Sequence, residues 1–356
     1  MRILFTVDQA YLPQRTGGAL TSTDALCRPL AARGHAVAVL AELMPGGTIG
    51  FMNRWKRRFG RRPPRDSVVG YPVYRDWNPA SQVPAVCRSF QPDVAVVKAG
   101  EDPRVAEAIS ALGIPTLVYI LGIGFDRDDW AIPRGANISF LANTTYAAER
   151  FEARFGQRVP VIHSLIHAAD YVVESSRKVV TFINPKPEKG LETAFDLARH
   201  RPDIPFHFVE SWPLGDSEHD DLKDRAAALG NVTIRRWMLD MKQVFADTRI
   251  LLVPTPQFEG QARSVAEAQV SGIPVLASQI GGLPESVGPG GIVVPPTDTE
   301  GWRRALDALW DDAETYARAA AQAQAHSRRL SLQPEHIISS LLALVEAQVT
   351  PDRAFS

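Results

Sequence analysis

Phe258 to Ser278 reads FEGQARSVAEAQVSGIPVLAS and carries two glutamates, Glu259 and Glu267, with seven residues between them. An apolar run, Ile250 to Pro254, leads into the first and reads as a buried strand. Glu267 falls inside a predicted helix. A Ser271-Gly272 turn and a second apolar run, Pro274 to Ala277, follow directly. The spacing is a little over two helical turns, so both carboxylates reach one place only if Glu259 lies at the helix mouth. The carboxyl end of parallel strands, where such a mouth sits, is where α/β sheets bind ligands. Orphan N–H groups and the positive end of a helix dipole favour phosphate there. Ionised carboxylates beside it suit hydroxyl-rich groups, because each accepts several hydrogen bonds.

Working outward, the chain alternates apolar strands with helices. The predicted strands of the first half are Ile3–Val7, His35–Ala41, Asp93–Val97, Thr116–Leu121 and Ile138–Ala142. Helices are predicted over Thr21–Arg33, Arg104–Leu112 and Thr144–Phe155. His163 to Arg177 is polar and mixed and reads as a linker. A second series then begins, with strands near Lys178–Ile183, Pro205–Val209, Val232–Ile234, Ile250–Val253, Pro274–Ala277 and Ile292–Val294. Leu191–His200 is an amphipathic helix between the first two. Helices over Trp302–Trp310, Ala313–Ala325 and Ile337–Ala347 close the chain. Repeated βα units imply parallel sheets with right-handed crossovers.

Composition bounds the function. A chain of 356 residues suggests two domains. With 45% hydrophobic and 22% charged residues it is an ordinary soluble globular sequence. Neither an 18-residue apolar run nor a signal peptide is legible, so a cytoplasmic protein without a spanning segment is expected. Two cysteines, Cys27 and Cys87, imply no disulfide framework and no cysteine metal site. The net charge of −1 hides an asymmetry. Residues 1–168 hold 20 basic and 14 acidic side chains, and residues 53–66 (NRWKRRFGRRPPRD) alone hold seven basic and one acidic. Trp55 and Phe59 interleave with those charges, and Trp55, Arg58 and Phe59 share helical spacing. This segment, read as irregular or partly helical, suits an anionic acceptor or an anionic membrane surface, with each basic residue near a bilayer worth roughly 1 kcal/mol. A mobile solvated loop reads equally well. Nucleic acid is disfavoured, because the chain is otherwise acidic and lacks a reading motif.

The Glu-x7-Glu spacing, followed by Ser271-Gly272-Ile273-Pro274-Val275, resembles the signature of the retaining GT-B glycosyltransferases of glycosyltransferase family 4. The Gly17-Gly18 loop, the Glu188-Lys189-Gly190 turn and the Gly281-Gly282 turn fall where that family has them, so the resemblance covers most of the chain. It implies an α/β fold of two Rossmann-like domains facing a central cleft. The first, acceptor-binding domain would be 1–168, with a final helix near 335–356 packing back on it. The second, 169–334, would bind the nucleotide-sugar donor.

The resemblance also implies roles. Glu259 would contact the donor sugar and Glu267 would accept from the ribose hydroxyls. Gly260, Gln261, Ala262 and Arg263 would line the donor between them. Gln261 and Ala262 stand where a Phe-Gly pair is common, and the Ala262 Cβ narrows the backbone's approach to a ligand. Lys189, on a Pro-x-x-Gly turn, would be a point charge for the diphosphate. Relatives pair it with an arginine five residues earlier. Here that residue is Asn184, so Arg263 or Lys186 would have to supply the second cation. Gly17 and Gly18 would border the phosphates and the reacting centre, with Arg15 and Thr16 touching acceptor. Arg236, Trp237 and Met238 would cradle the nucleobase.

Gly122-Ile123-Gly124 starts like a dinucleotide fingerprint, but position 127 is Arg and the strand is the wrong one. Asp126-Arg127-Asp128 matches an Asp-x-Asp metal triplet only formally. Gly122 and Asp126 are read as lining the acceptor. Neither a metal nor another cofactor is expected.

The implied activity is metal-independent transfer of a sugar from a nucleotide-sugar, on family frequency a UDP-sugar, to a small molecule, glycan or lipid-linked glycan. GDP and ADP remain open. An epimerase or hydrolase on the same fold, and a nucleotide-binding protein without turnover, are the alternatives; the Asn184 and Ala262 departures motivate the last.

Overall fold

The computed structural model describes residues 1–59, 63–99, 103–126, 130–210, 215–238 and 240–349. Arg61, Arg62, Arg127 and Asp128 therefore lie outside the described residues. The chain forms two compact units, Met1–Leu165 with the segment from Pro334, and Ile166–Gln333.

The first unit is built on β1 (Arg2–Ala10), β2 (Ala36–Glu42), β3 (Arg65–Asp66), β4 (Val73–Asp76), β5 (Val94–Lys98), β6 (Thr116–Ile120) and β7 (Ile138–Ala142). They hydrogen-bond in the order β3-β4-β2-β1-β5-β6-β7. All pairings are parallel except the short edge strand β3, which runs antiparallel to β4. Without that edge strand the order is that of a doubly wound Rossmann sheet, with its reversal point between β1 and β5. Both faces are covered, which is why the strands are near-continuous apolar runs. One face packs Phe5, Val39 and Val96 against Leu26 and Leu30; the other packs Leu4, Leu40 and Val118 against Val83 and Phe151. The helix Pro334–Val349 returns to this unit and buries Ile337, Ile338, Leu341 and Val345 in its core.

The second unit repeats the plan with β8 (Val179–Ile183), β9 (Phe206–Val209), β10 (Val232–Arg235), β11 (Thr248–Val253), β12 (Val275–Ser278) and β13 (Gly291–Val294). Their order, β10-β9-β8-β11-β12-β13, is again doubly wound, and every pairing is parallel. The reversal point lies between β8 and β11.

Several elements differ from the sequence expectation. β4, VYRD, reads polar but is buried along its length. The fully buried Arg75 is satisfied by Asp66 at 2.7 Å and by the carbonyls of Tyr11 and Leu12 at 2.9 and 2.6 Å. The helix Pro79–Phe90 contains two prolines. Pro79 occupies the first turn, where its missing N–H costs nothing, and Asn78 caps the helix by accepting from Ser81. The basic segment is partly helical, as expected: its first residues, 53–59, lie in the helix Gly47–Phe59, and Arg65 and Asp66 form β3. The expected linker is fastened: Arg177 donates to the carbonyls of Ser271 and Gly272, and Ser175 donates to that of Thr248. Among the described residues no helix is long and apolar enough to cross a membrane.

Candidate active site

In the second unit the two loops that leave β8 and β11 meet at the reversal point. The β8 loop runs through Asn184 to a 3-10 turn, Pro187–Lys189, and into the helix Leu191–His200. The β11 loop runs from Pro254 to the helix Arg263–Gln269. Lys189 Nζ donates to Glu259 Oε1 and forms an ion pair with it. Two side chains 70 positions apart in sequence are thus brought together where a doubly wound sheet opens to ligands.

Backbone packing fixes this pair. Gly190 has φ +88°, and a Cβ there would overlap the Pro254 carbonyl, so the Lys189 turn rests directly on the end of β11. The Thr255 hydroxyl, buried between the loops, donates to the Glu188 carbonyl at 3.1 Å. Gly281, at φ +59°, leaves no room for a Cβ against the Glu259 backbone, and Gly282 N donates to the Glu259 carbonyl at 2.9 Å. The three glycine motifs singled out in the sequence therefore act in part as supports; two of them hold Lys189 and Glu259.

Glu267 is 7% exposed and Arg263 9% exposed. Arg263 Nε lies 3.3 Å from Glu267 Oε1, and its Nη2 donates to the Tyr171 hydroxyl at 3.3 Å. Burial pushes the Glu267 carboxyl above the ordinary glutamate range, and Arg263 and Tyr171 oppose that shift. Burial, with the neighbouring Glu267 charge, pushes Tyr171 up to about 12. Arg263 is thus paired with Glu267, and Lys189 with Glu259 at the reversal point. Gly260 is buried, while Gln261 and Ala262 are half-buried, with Ala262 packed on the core around Val265. Asn184 takes φ +65°, a conformation Asn tolerates better than Arg. The helix that follows Ala262 has seven residues, so its dipole is a smaller asset than the sequence suggested.

Trp237 and Met238 are half-buried after β10, and Met238 packs near Val244 and Phe245. Arg236 lies 3.8 Å from the buried Glu210 at the end of β9, which is itself hydrogen-bonded to the buried His219. The sequence reading missed that pair, since Glu210 immediately follows an apolar strand and looks like an ordinary loop residue.

In the first unit Gly17 has φ +156° and caps the helix Gly18–Ala32 without a side-chain bond. Nothing lies within 4 Å of a Cβ built on it, so glycine is needed there for conformation rather than space. Arg15 is exposed and Thr16 half-buried. Two further residues stand at this unit's reversal point: Lys98, ending β5, donates to Asp8 on β1 at 2.5 Å. Burial and the Asp8 charge push the nearby Glu42 carboxyl up, against Arg15. The signal for all three was available, since each polar residue ends an apolar strand. Gly122 is half-buried, and Asp126 closes a 3-10 turn, Gly124–Asp126, anchored by Phe125 edge-on to Phe151.

Residues 177–312 match the family described as glycosyl transferases group 1. A D-inositol 3-phosphate glycosyltransferase of Nocardia farcinica is 28% identical over 69% of this chain and 55% of its own length. One of Corynebacterium glutamicum is 41% identical over 22% of this chain and 20% of its own. The matches thus span about half or less of these relatives. Among solved structures, HepE of Anabaena in complex with UDP has a TM-score of 0.75 at 18% identity, covering 98% of this chain and 100% of that one. Sucrose-phosphate synthase of Thermosynechococcus elongatus gives 0.73 at 15% identity, covering 99% and 100%. Two doubly wound units shared along the whole chain with these structures give this protein the GT-B fold, and the group 1 match falls on the unit that holds the Lys189–Glu259 pair.

Proposed function

We propose that this protein transfers a sugar, with retention of anomeric configuration and without a metal, from a nucleotide-sugar to an acceptor hydroxyl. The observation that carries the reading is the Lys189–Glu259 pair, held at the reversal point of the second sheet by Gly190 and Gly281. Lys189 meets the donor diphosphate and stabilises the charge that grows on it as the glycosidic bond breaks. Glu259 accepts from hydroxyls of the transferred sugar and holds its anomeric carbon in place. Glu267, oriented by Arg263 and Tyr171, accepts from the ribose hydroxyls. Trp237 and Met238 lie against the base. The acceptor binds the first unit near Arg15, Thr16, Asp8 and Lys98. Its oxygen attacks the anomeric carbon on the face the diphosphate leaves, and its proton passes to the departing phosphate oxygen. No side chain is assigned as a covalent nucleophile.

UDP is the proposed nucleotide, supported by the similarity to HepE, which has also been crystallised with UDP-glucose. A thermal-shift screen against UDP, GDP, ADP and NAD, with and without Mn²⁺, tests the reading. Ligand at 100 times its Kd should stabilise the protein by roughly 2.7 kcal/mol. UDP is expected to give that shift with or without Mn²⁺. A response to NAD alone, or to UDP only with Mn²⁺, overturns the reading or its metal independence respectively.

The raised Glu267 pKa gives this assignment a pH signature. The ionised carboxylate is the ribose acceptor, so UDP affinity should fall as pH drops through a value above the ordinary glutamate range. Glu267→Gln should bind UDP more weakly and without that acidic limb, read by calorimetric titration across pH. Identical pH profiles for the two proteins would remove the ribose role.

A further inference from the structure

We propose that the helix Gly47–Phe59 is a docking face by which the first unit settles on an anionic lipid bilayer. At about 100° per residue, Phe51, Trp55 and Met52 fall within one arc of roughly 100°. They are 65%, 61% and 51% exposed. Gly50 and Asn53, both buried, lie on the opposite side. A Cβ on Gly50 would come within 2.6 Å of the Met44 and Pro45 carbonyls, so this side of the helix lies flush on the chain beneath it. The helix thus turns Phe51, Met52 and Trp55 outward, the reverse of a helix that serves only to cover a core.

Charge selects the occupant. Between Glu42 and Asp66 the sequence has no acidic residue. Asp66 itself is turned inward onto Arg75, Nε to Oδ2 at 2.7 Å, and does not offset the outward charge. By helical position, Arg54 and Arg58 flank one side of the apolar arc and Lys56 the other. Aromatic and thioether side chains between basic flanks match the boundary between acyl chains and anionic headgroups. A soluble polyanion would use the charges and leave Phe51 and Met52 without a role. A second copy of this face would bring like charges together.

The helix is also held rigidly. Asn53 donates to Asp66 at 3.3 Å, Lys56 donates to the Arg65 carbonyl at 2.7 Å, and Gln14 donates to the Met44 carbonyl at 2.9 Å. Docking therefore fixes the orientation of the unit rather than of a loose tether.

Flotation of the full chain with phosphatidylcholine vesicles, with and without phosphatidylglycerol, is the test. Binding requires no turnover, so it succeeds or fails independently of the transfer reading. The wild type should float only with the anionic vesicles, and less as salt rises. Phe51→Ser with Trp55→Ser, and separately Arg54, Arg57 and Arg58 to Ser, should each weaken binding by more than about tenfold while the thermal transition stays in place. Equal binding to neutral vesicles, or none to anionic ones, overturns the proposal. So does loss in the charge variant alone, which would mean a polyanion patch. A wild-type dimer that the Phe51 and Trp55 variant abolishes would assign the face to a second copy and overturn it equally.

Discussion

Lys189→Ala is expected to lower donor turnover by about 100-fold or more, roughly 3 kcal/mol, if its ammonium faces the leaving diphosphate. The effect should be confined to steps that involve the second phosphate. The variant should therefore lose the wild type's preference for UDP over UMP while its UMP affinity stays unchanged. A purely supporting role would weaken both nucleotides together, because the Lys189 turn would then shift as a whole. Lys189→Arg should recover part of the loss, since charge returns but a planar fork replaces a point charge beside Glu259. Wild-type turnover in Lys189→Ala, or an unchanged UDP-to-UMP ratio, would sink the assignment.

Gly190→Ala should destabilise the protein by about 3 kcal/mol. Roughly 1–2 kcal/mol comes from forcing a Cβ into a positive-φ conformation, and the rest from its overlap with the Pro254 carbonyl. For a unit of this size the midpoint should fall by roughly 6–12 °C. Gly230→Ala separates the two causes. Gly230 also has positive φ, +78°, but nothing lies within 4 Å of its Cβ. It should carry only the conformational cost, about 1–2 kcal/mol. Equal losses in the two variants would show that the Lys189 turn does not press on β11. Where Gly190→Ala remains folded, UDP affinity should also fall, because the turn that aims Lys189 has been pushed away from the end of the strand.

Much of this fold was legible in the chain. Runs such as Val179–Ile183 and Ile250–Val253 are mostly apolar because both faces of a parallel sheet are buried. Glu259 and Lys189 could be singled out because each follows such a run at a turn containing glycine. What stayed hidden was residue-to-residue contact. The pairing of Glu259 with Lys189 depends on β8 and β11 being neighbours, although they are separated by two strands in sequence. The engagement of Arg263 with Glu267 and Tyr171 depends on the Tyr171–Arg177 segment folding onto the second unit. That contact gives Arg263 a carboxylate and a phenol as partners, which its position after Ala262 does not reveal.

Local pattern, carried in periods of two and about 3.6 residues, determined the strands, most helices, the two-unit plan and the loops that could bear chemistry. It failed where a polar residue is buried or a proline sits in a helix. Arg75 makes VYRD look like a loop until Asp66 and the Tyr11 and Leu12 carbonyls surround its guanidinium. Pro79 looks like a breaker until it occupies a first turn that needs no N–H from it. Burial of a polar group depends on partners brought from elsewhere in the chain, and only the tertiary structure decides which partners arrive.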